Sequence, residues 1–374
     1  MGSEMQTVKY INPGQEYLEN KKEFDAAFSR VMGSGSFILR DDVSRFEEAI
    51  CEKIGADYAI GVNSGTDALF YSLGALGLKK DDEVITVAHT FVATISAIKH
   101  MGARPVLVDI KDDFNIDPYK VESRISEKTK VLLPVHMNGR SCNMDVIISV
   151  AEKHGLKVVE DAAQAFGAQY KGRYVGTFGD CGCFSAHPMK ILSCPGDGGY
   201  ITTNDRLLEE KIRLLRNHGQ KSKTELVEYG FSSRLDNLHA AILNVKLKTV
   251  DEQICRRREI AEKYHRGLHD LPIKLPMPPE KEIYYDVYNS YVIKVDTHIR
   301  DDLLRYLSAA GIEVFAHMAV PLYKNHALGL SGDGLEQNEA ISRRILSLPI
   351  CPQTTDENVA YLLSSVRSFF DQLY

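Results

Sequence analysis

Five short apolar runs alternate with helical patterns between residues 58 and 161, and this alternation constrains the fold more than any other feature. The runs lie at 58–62, 83–87, 105–109, 131–135 and 156–159. Apolar positions at helical spacing separate them at 67–76, 92–100 and 144–153, with a weaker pattern near Val121. Continuous apolar runs of this length read as strands buried on both faces, and regular strand–helix alternation builds a parallel sheet with helices on both sides. The rhythm then changes. From Ala186 to Gly199 the chain is too short for a helical crossover, so a strand over 199–203 is expected to return antiparallel to the run at 181–186. The expected fold is therefore α/β, with a large domain whose mostly parallel sheet has one reversed strand.

The flanking segments add helices and a second unit. Residues 15–30 read as helical until Gly33-Ser34-Gly35-Ser36 breaks the pattern. Residues 42–54 form an amphipathic helix with Val43, Phe46, Ala49 and Ile50 on one face. After a helix at 206–216, one long helical pattern spans 237–264 and Pro272, Pro276, Pro278 and Pro279 mark a linker-like break. Beyond it a strand is expected at 288–295, with helices at 300–310, 340–346 and 358–370. A chain of 374 residues exceeds one typical core, so two domains are expected: 15–245 large and 246–374 small, α+β.

Composition narrows the function classes. With 44% hydrophobic and 26% charged residues the chain reads as a soluble globular protein, and its net charge of −6 gives no footprint for nucleic acid. No apolar run reaches the ~20 residues that a membrane helix needs. The opening Met1-Gly2-Ser3-Glu4-Met5 lacks a signal-peptide pattern and leaves room for a cloning remnant before Met5. Seven scattered cysteines make no disulfide framework, and Cys181-Gly182-Cys183 has no second pair at metal spacing, so no metal site is expected. A reducing cytoplasm fits this usage.

The chemistry concentrates in residues 156–203. An acidic pair, Glu160-Asp161, closes one strand run, and ligands collect at the carboxyl ends of such strands. Lys190 follows a second run and precedes the glycine-rich Pro195-Gly196-Asp197-Gly198-Gly199. Singly, a strand-end Asp is most often a helix cap and a loop lysine most often solvated. Jointly, an acid and a lysine at neighbouring strand ends suit a carbonyl cofactor, with the lysine bonded to the carbonyl and the acid facing a basic ring nitrogen. Upstream, Asn63-Ser64-Gly65-Thr66-Asp67 follows a strand and opens a helix, which makes an anion-binding turn or a plain N-cap.

Glu160-Asp161-Ala162-Ala163-Gln164, Phe184-Ser185-Ala186-His187-Pro188-Met189-Lys190 and Gly196-Asp197-Gly198-Gly199 together resemble the DegT/DnrJ/EryC1/StrS sugar aminotransferases, and further matches carry the resemblance over nearly the whole chain. The resemblance implies pyridoxal 5'-phosphate as cofactor, an aspartate-aminotransferase-like fold with a seven-stranded sheet, and a homodimer with its active site at the interface. It implies Lys190 as the cofactor-bonding lysine and proton shuttle, and Asp161 as partner of the ring nitrogen. A carboxylate about 4 Å from a positive nitrogen is worth about 4 kcal/mol at an effective dielectric of about 20, or roughly three pKa units. Gly65, Thr66, Asp67 and Ser185 are implied at the phosphate, Gln164 at the phenolic oxygen, and Phe91 at the ring face, against the alternative of a core Phe. Ser232 stands where the family usually has Asn reaching across the dimer, and His239 where it has Gln. His187, Arg234, His317 and Tyr323 are substrate-binding candidates.

The expected activity is transfer of an amino group, from glutamate by resemblance, to a nucleotide-linked keto-sugar. The Gly-Asp-Gly-Gly variant points toward a 3-keto-6-deoxy substrate. The alternatives are a cyclitol aminotransferase using glutamine and a non-catalytic, cofactor-binding regulatory protein. Relatives with histidine in place of the lysine are dehydratases, so retention of Lys190 favours transamination.

Overall fold

The computed structural model describes residues 7–373; the opening Met1–Met5 segment lies outside them. Seven strands form the main sheet in the spatial order Tyr58–Val62, Gly199–Thr203, Cys181–Ser185, Lys157–Asp161, Thr129–Leu132, Glu83–Val87 and Arg104–Val108. Gly199–Thr203 pairs antiparallel with both of its neighbours, and the remaining pairs are parallel. The reversal has the expected cause: residues 186–198 contain no helix, so the chain turns back instead of crossing over.

Apolar side chains seal both faces of the sheet. On one side Val62, Leu69, Leu73, Val84 and Ile98 pack with the helices Gly65–Ala75 and Val92–His100. On the other, Phe46, Ile50, Phe184, Tyr200 and Leu243 gather under the helices Asp41–Ile54 and Asn237–Leu247. Phe184 stacks on Tyr200 at 4.8 Å between ring centroids, with Phe46 edge-on to Tyr200 at 5.3 Å. Val43, Phe46 and Ile50 are buried as the amphipathic pattern requires. Cys181 and Cys183 are core residues, and Cys183 Sγ lies 3.2 Å from Ser72 Oγ.

The C-terminal part forms its own cluster around Tyr264, Tyr291, Leu303, Leu346 and Val366. Its two-stranded antiparallel sheet, Tyr291–Lys294 with Ile345–Leu348, lies against the helices Arg300–Ala309 and Asp356–Asp371.

Three segments differ from the sequence reading. The helical stretch expected over 15–30 is two helices, Pro13–Glu19 and Lys21–Ser34, divided at Asn20, and the second runs through Gly33 and Ser34 to end at Gly35. The single helix expected over 237–264 is two helices, Asn237–Leu247 and Val250–Leu268, because Thr249 leaves helical geometry at φ −117°, ψ 4°. Of the helix expected over 340–346, only Ala340–Ser342 is helical, as the end of Glu336–Ser342, and Ile345 opens a strand paired to Lys294. A short apolar run does not reveal whether it is helix or strand; here the free edge of Tyr291–Lys294 decides it. No helix among the described residues is long and apolar enough to cross a membrane.

Candidate active site

The acidic pair separates by the strand's alternation, which sends successive side chains to opposite faces. Glu160 is fully buried and accepts hydrogen bonds from the N–H groups of Gly176, Phe178 and Gly179 at 2.7–2.8 Å. His136 Nε2 lies 3.0 Å from Glu160, and His136 Nδ1 accepts from the Cys142 N–H at 3.0 Å, so Nε2 is the protonated nitrogen and donates to Glu160. Glu160 is thus a structural carboxylate with its capacity filled.

Asp161 faces a cavity. Its Oδ2 accepts from Thr94 Oγ1 at 2.8 Å and its Oδ1 from the Ala163 N–H at 3.2 Å, while Thr90 Oγ1 lies 2.7 Å behind Thr94 Oγ1. Burial raises its pKa, opposed by these two hydrogen bonds and by the charge of Lys190. The carboxylate is therefore oriented and desolvated, and a cation brought against it would restore its ionisation.

Lys190 sits in the loop that joins the two antiparallel strands. That loop is tied at its base by Ala186 N–H to Gly198 O and Cys194 N–H to Ala186 O, both 2.8 Å, and Lys190 N–H donates to His187 O at 2.8 Å. Its amine has no hydrogen bond or ion pair among the described residues. Burial pushes its pKa down, and Asp161 pulls it back up. A lysine so placed is a nucleophile at lower pH than an exposed one.

The turn after Tyr58–Val62 closes the third side. Ser64 caps the helix Gly65–Ala75, its Oγ accepting from the Asp67 N–H at 3.1 Å, so the first amides of the helix have no intrahelical partner. A Cβ on Gly65 would come within 2.7 Å of Ser185 Cβ, and one on Gly199 within 2.4 Å of the Ser64 carbonyl. Both glycines let the turn, the helix end and Ser185 meet. The result is a cradle of free amides and hydroxyls suited to a phosphate.

These elements enclose a cavity of about 480 Å³. Ser64, Gly65, Thr66, Phe91, Asp161, Gln164, Ser185, His187, Lys190 and His317 all line it. Phe91 is 64% exposed, so it is not a core residue. It caps the helix Val92–His100 with its ring at the cavity, the position a flat cofactor requires. Gln164 Oε1 accepts from the Asn138 N–H at 3.0 Å, and His317 Nδ1 lies 3.3 Å from Ser347 Oγ.

Four candidates lie elsewhere. Asp67 is turned from the cavity and accepts from Ser233 Oγ at 2.7 Å, so it holds the Ser233 loop to the helix. Ser232 is exposed and Arg234 donates to Asn217 Oδ1 at 3.1 Å; neither lines the cavity. Tyr323 packs with Ala88, Ile95 and Leu335 outside it. Conversely, Tyr10, His89, Thr94 and Asn289 line the cavity without having been singled out from the sequence. Thr94 alone carried a signal, one helical turn after Thr90 in His89-Thr90-Phe91-Val92-Ala93-Thr94.

A buried acceptor facing an unpartnered lysine, beside free helix amides and an exposed aromatic face, fits pyridoxal phosphate. The comparisons agree. The DegT/DnrJ/EryC1/StrS aminotransferase family model matches residues 18–367. The chain belongs to this family. It is 39% identical to a pleiotropic regulatory protein of Geobacillus stearothermophilus, over 97% of this chain and 98% of the relative. It is 37% identical to dTDP-3-amino-3,4,6-trideoxy-alpha-D-glucose transaminase of Streptomyces venezuelae, over 99% and 98%. Among solved structures, S. venezuelae DesV superposes with a TM-score of 0.93 at 37% identity, covering 97% of this chain and 98% of that one. Two other solved matches, 29% and 26% identical, are in the pyridoxamine and pyridoxal phosphate forms. This family member is a pyridoxal phosphate-dependent aminotransferase.

Proposed function

We propose that this aminotransferase moves an amino group from glutamate to the keto carbon of a nucleotide-linked sugar. The observation that carries the reading is the single cavity in which the Lys190 amine and the Asp161 carboxylate face the same space, with room beyond them for a sugar ring. The Streptomyces relative is named for a transaminase making a 3-amino sugar, which supports a 3-keto-6-deoxy acceptor.

When bound, the cofactor supplies a carbonyl that accepts the amino group and an electron-withdrawing ring. The chain's own groups do the rest. Asp161, fixed by Thr94 and the Ala163 N–H, keeps a proton on the ring nitrogen. Lys190 Nζ, whose pKa burial pushes down, takes a proton from the donor carbon and delivers one to the acceptor carbon. The Gly65 and Thr66 amides with Ser185 hold the phosphate. Gln164, fixed by the Asn138 N–H, and Phe91 would hold the cofactor ring.

We also assign the wider organisation within this reading. Ser232 and Arg234, outside their own cavity, serve the site of a second subunit in a homodimer. The exposed Phe231 beside them supports an interface there. We keep two domains, with the core of the large one reaching past residue 246 to Val250 and Ile254 and the core of the small one gathering on Ile260 and Tyr264. Seven free cysteines suit a reducing cytoplasm.

One second reading has a specific observation behind it: the Geobacillus relative is named a regulatory protein. A cofactor-binding regulator would not turn over. Assaying the purified protein against a panel of nucleotide-linked keto-sugars, with glutamate and with glutamine, separates the readings. Turnover of a 3-keto-sugar with glutamate supports the proposal. Turnover only of a cyclitol ketone, or none with any acceptor, rejects it.

A further inference from the structure

Behind the loop that carries Lys190 lies a second, much smaller void of about 30 Å³, lined by Lys190 itself and by Glu16, Ser193, Lys246, Gln253 and Arg257. Arg257, 7% exposed, is held in the helix Val250–Leu268, and its Nη1 donates to the carbonyls of Tyr288 and Ile350, both at 3.2 Å. Its Nε is sealed from solvent without a partner, whereas Nη2 is not among the sealed atoms. No carboxylate pairs with it. The only carboxylate lining the void, Glu16, is committed: one oxygen accepts from Lys246 Nζ at 2.8 Å and the other from Gln253 Nε2 at 3.2 Å. Lys246 Nζ also donates to Ser193 Oγ at 2.7 Å and is itself 6% exposed.

The charge around the void does not balance. Arg257 and Lys246 contribute two fixed positive charges and Glu16 one negative, with the titratable Lys190 adjoining. An arginine held in the interior with no carboxylate beside it leaves a positive charge that a small anion entering the void would balance. The void exceeds the ~10–15 Å³ that a single water requires, and a halide is of similar size.

We propose that this void is a binding site for a small monovalent anion, of which chloride is the physiological representative. The anion neutralises Arg257 and lies against the lysine loop. The site is independent of which sugar the enzyme accepts.

The test uses the full-length holoenzyme. Crystals soaked in bromide should give an anomalous peak within hydrogen-bonding distance of the Arg257 guanidinium. In solution, replacing gluconate with chloride at constant ionic strength should raise the melting temperature saturably, by roughly 2 °C. Ser193→Asp sets a permanent carboxylate beside Lys246 and should abolish that chloride response while the protein stays folded. An ordered water with no bromide peak overturns the proposal. So does a chloride response of equal size in wild type and Ser193→Asp.

Discussion

Lys190 and Asp161 perturb one another, and the direction of each shift gives a test. Burial lowers the lysine and the Asp161 charge raises it, so removing that charge leaves burial unopposed. In the apoprotein, Lys190 should react with acetic anhydride with a midpoint below 10.5, and Asp161→Asn should move the midpoint lower still; an upward move would show that the two do not share a field. Asp161→Asn should keep the cofactor yet lose activity, by roughly 10²–10⁴-fold, since an amide cannot hold the ring proton. Wild-type rates in that variant would remove Asp161 from the chemistry. Thr94→Val strips the hydrogen bond at 2.8 Å from a buried carboxylate and should weaken catalysis with little change in cofactor content, measured as kcat against bound cofactor. Much of this was readable from residue types in series: an acid at a strand end, a lysine after the next strand, a glycine-rich turn beyond it. Phe91 was named only through the family resemblance, because an aromatic in sequence carries no sign of whether it packs inward or, as here, stands 64% exposed. Tyr10 and Asn289 were not readable, since they reach the cavity only through tertiary approach from distant segments.

The proposed phosphate cradle is a property of elements. The helix Gly65–Ala75 can present its first amides to the cavity only because Gly65 passes against Ser185. Gly65→Ala adds a Cβ 2.7 Å from Ser185 Cβ, and one of the two must move. The expected result is weaker retention of the cofactor, at least about tenfold by dialysis and absorbance, in a protein that melts normally; unchanged retention would show that the helix end is not the phosphate site. The parallel strands were legible because their runs are apolar and β-branched, and the reversed strand because the loop before it is short. The break at Thr249 and the strand Ile345–Leu348 were not. No glycine or proline marks the break at Thr249, and Pro349 marks only where the strand ends, not that it is a strand; both are decided by what the segment packs against.

On the scale of the whole molecule, the cavity lies where the C-terminal unit meets the main sheet. Tyr10, Asn289, Ser290, His317 and Ser347 approach it from the C-terminal side and the N-terminal segment, and Asp161, Ser185 and Lys190 from the main sheet. If a second subunit completes the site, Ser232→Ala with Arg234→Ala should loosen the cofactor without altering either core; sedimentation that shows a cofactor-saturated monomer would refute the interface. One lysine serving both amino donor and keto acceptor requires two separable half-reactions, with the amino group held on the enzyme between them. The most direct measurement is therefore the visible spectrum of the holoenzyme treated with glutamate alone. The expected result is loss of the lysine-bound cofactor band with one equivalent of 2-oxoglutarate released per site, the band returning on addition of a nucleotide-linked keto-sugar. A spectrum indifferent to glutamate, in an enzyme that instead removes water from the sugar, would contradict the assignment of Lys190 to amino transfer.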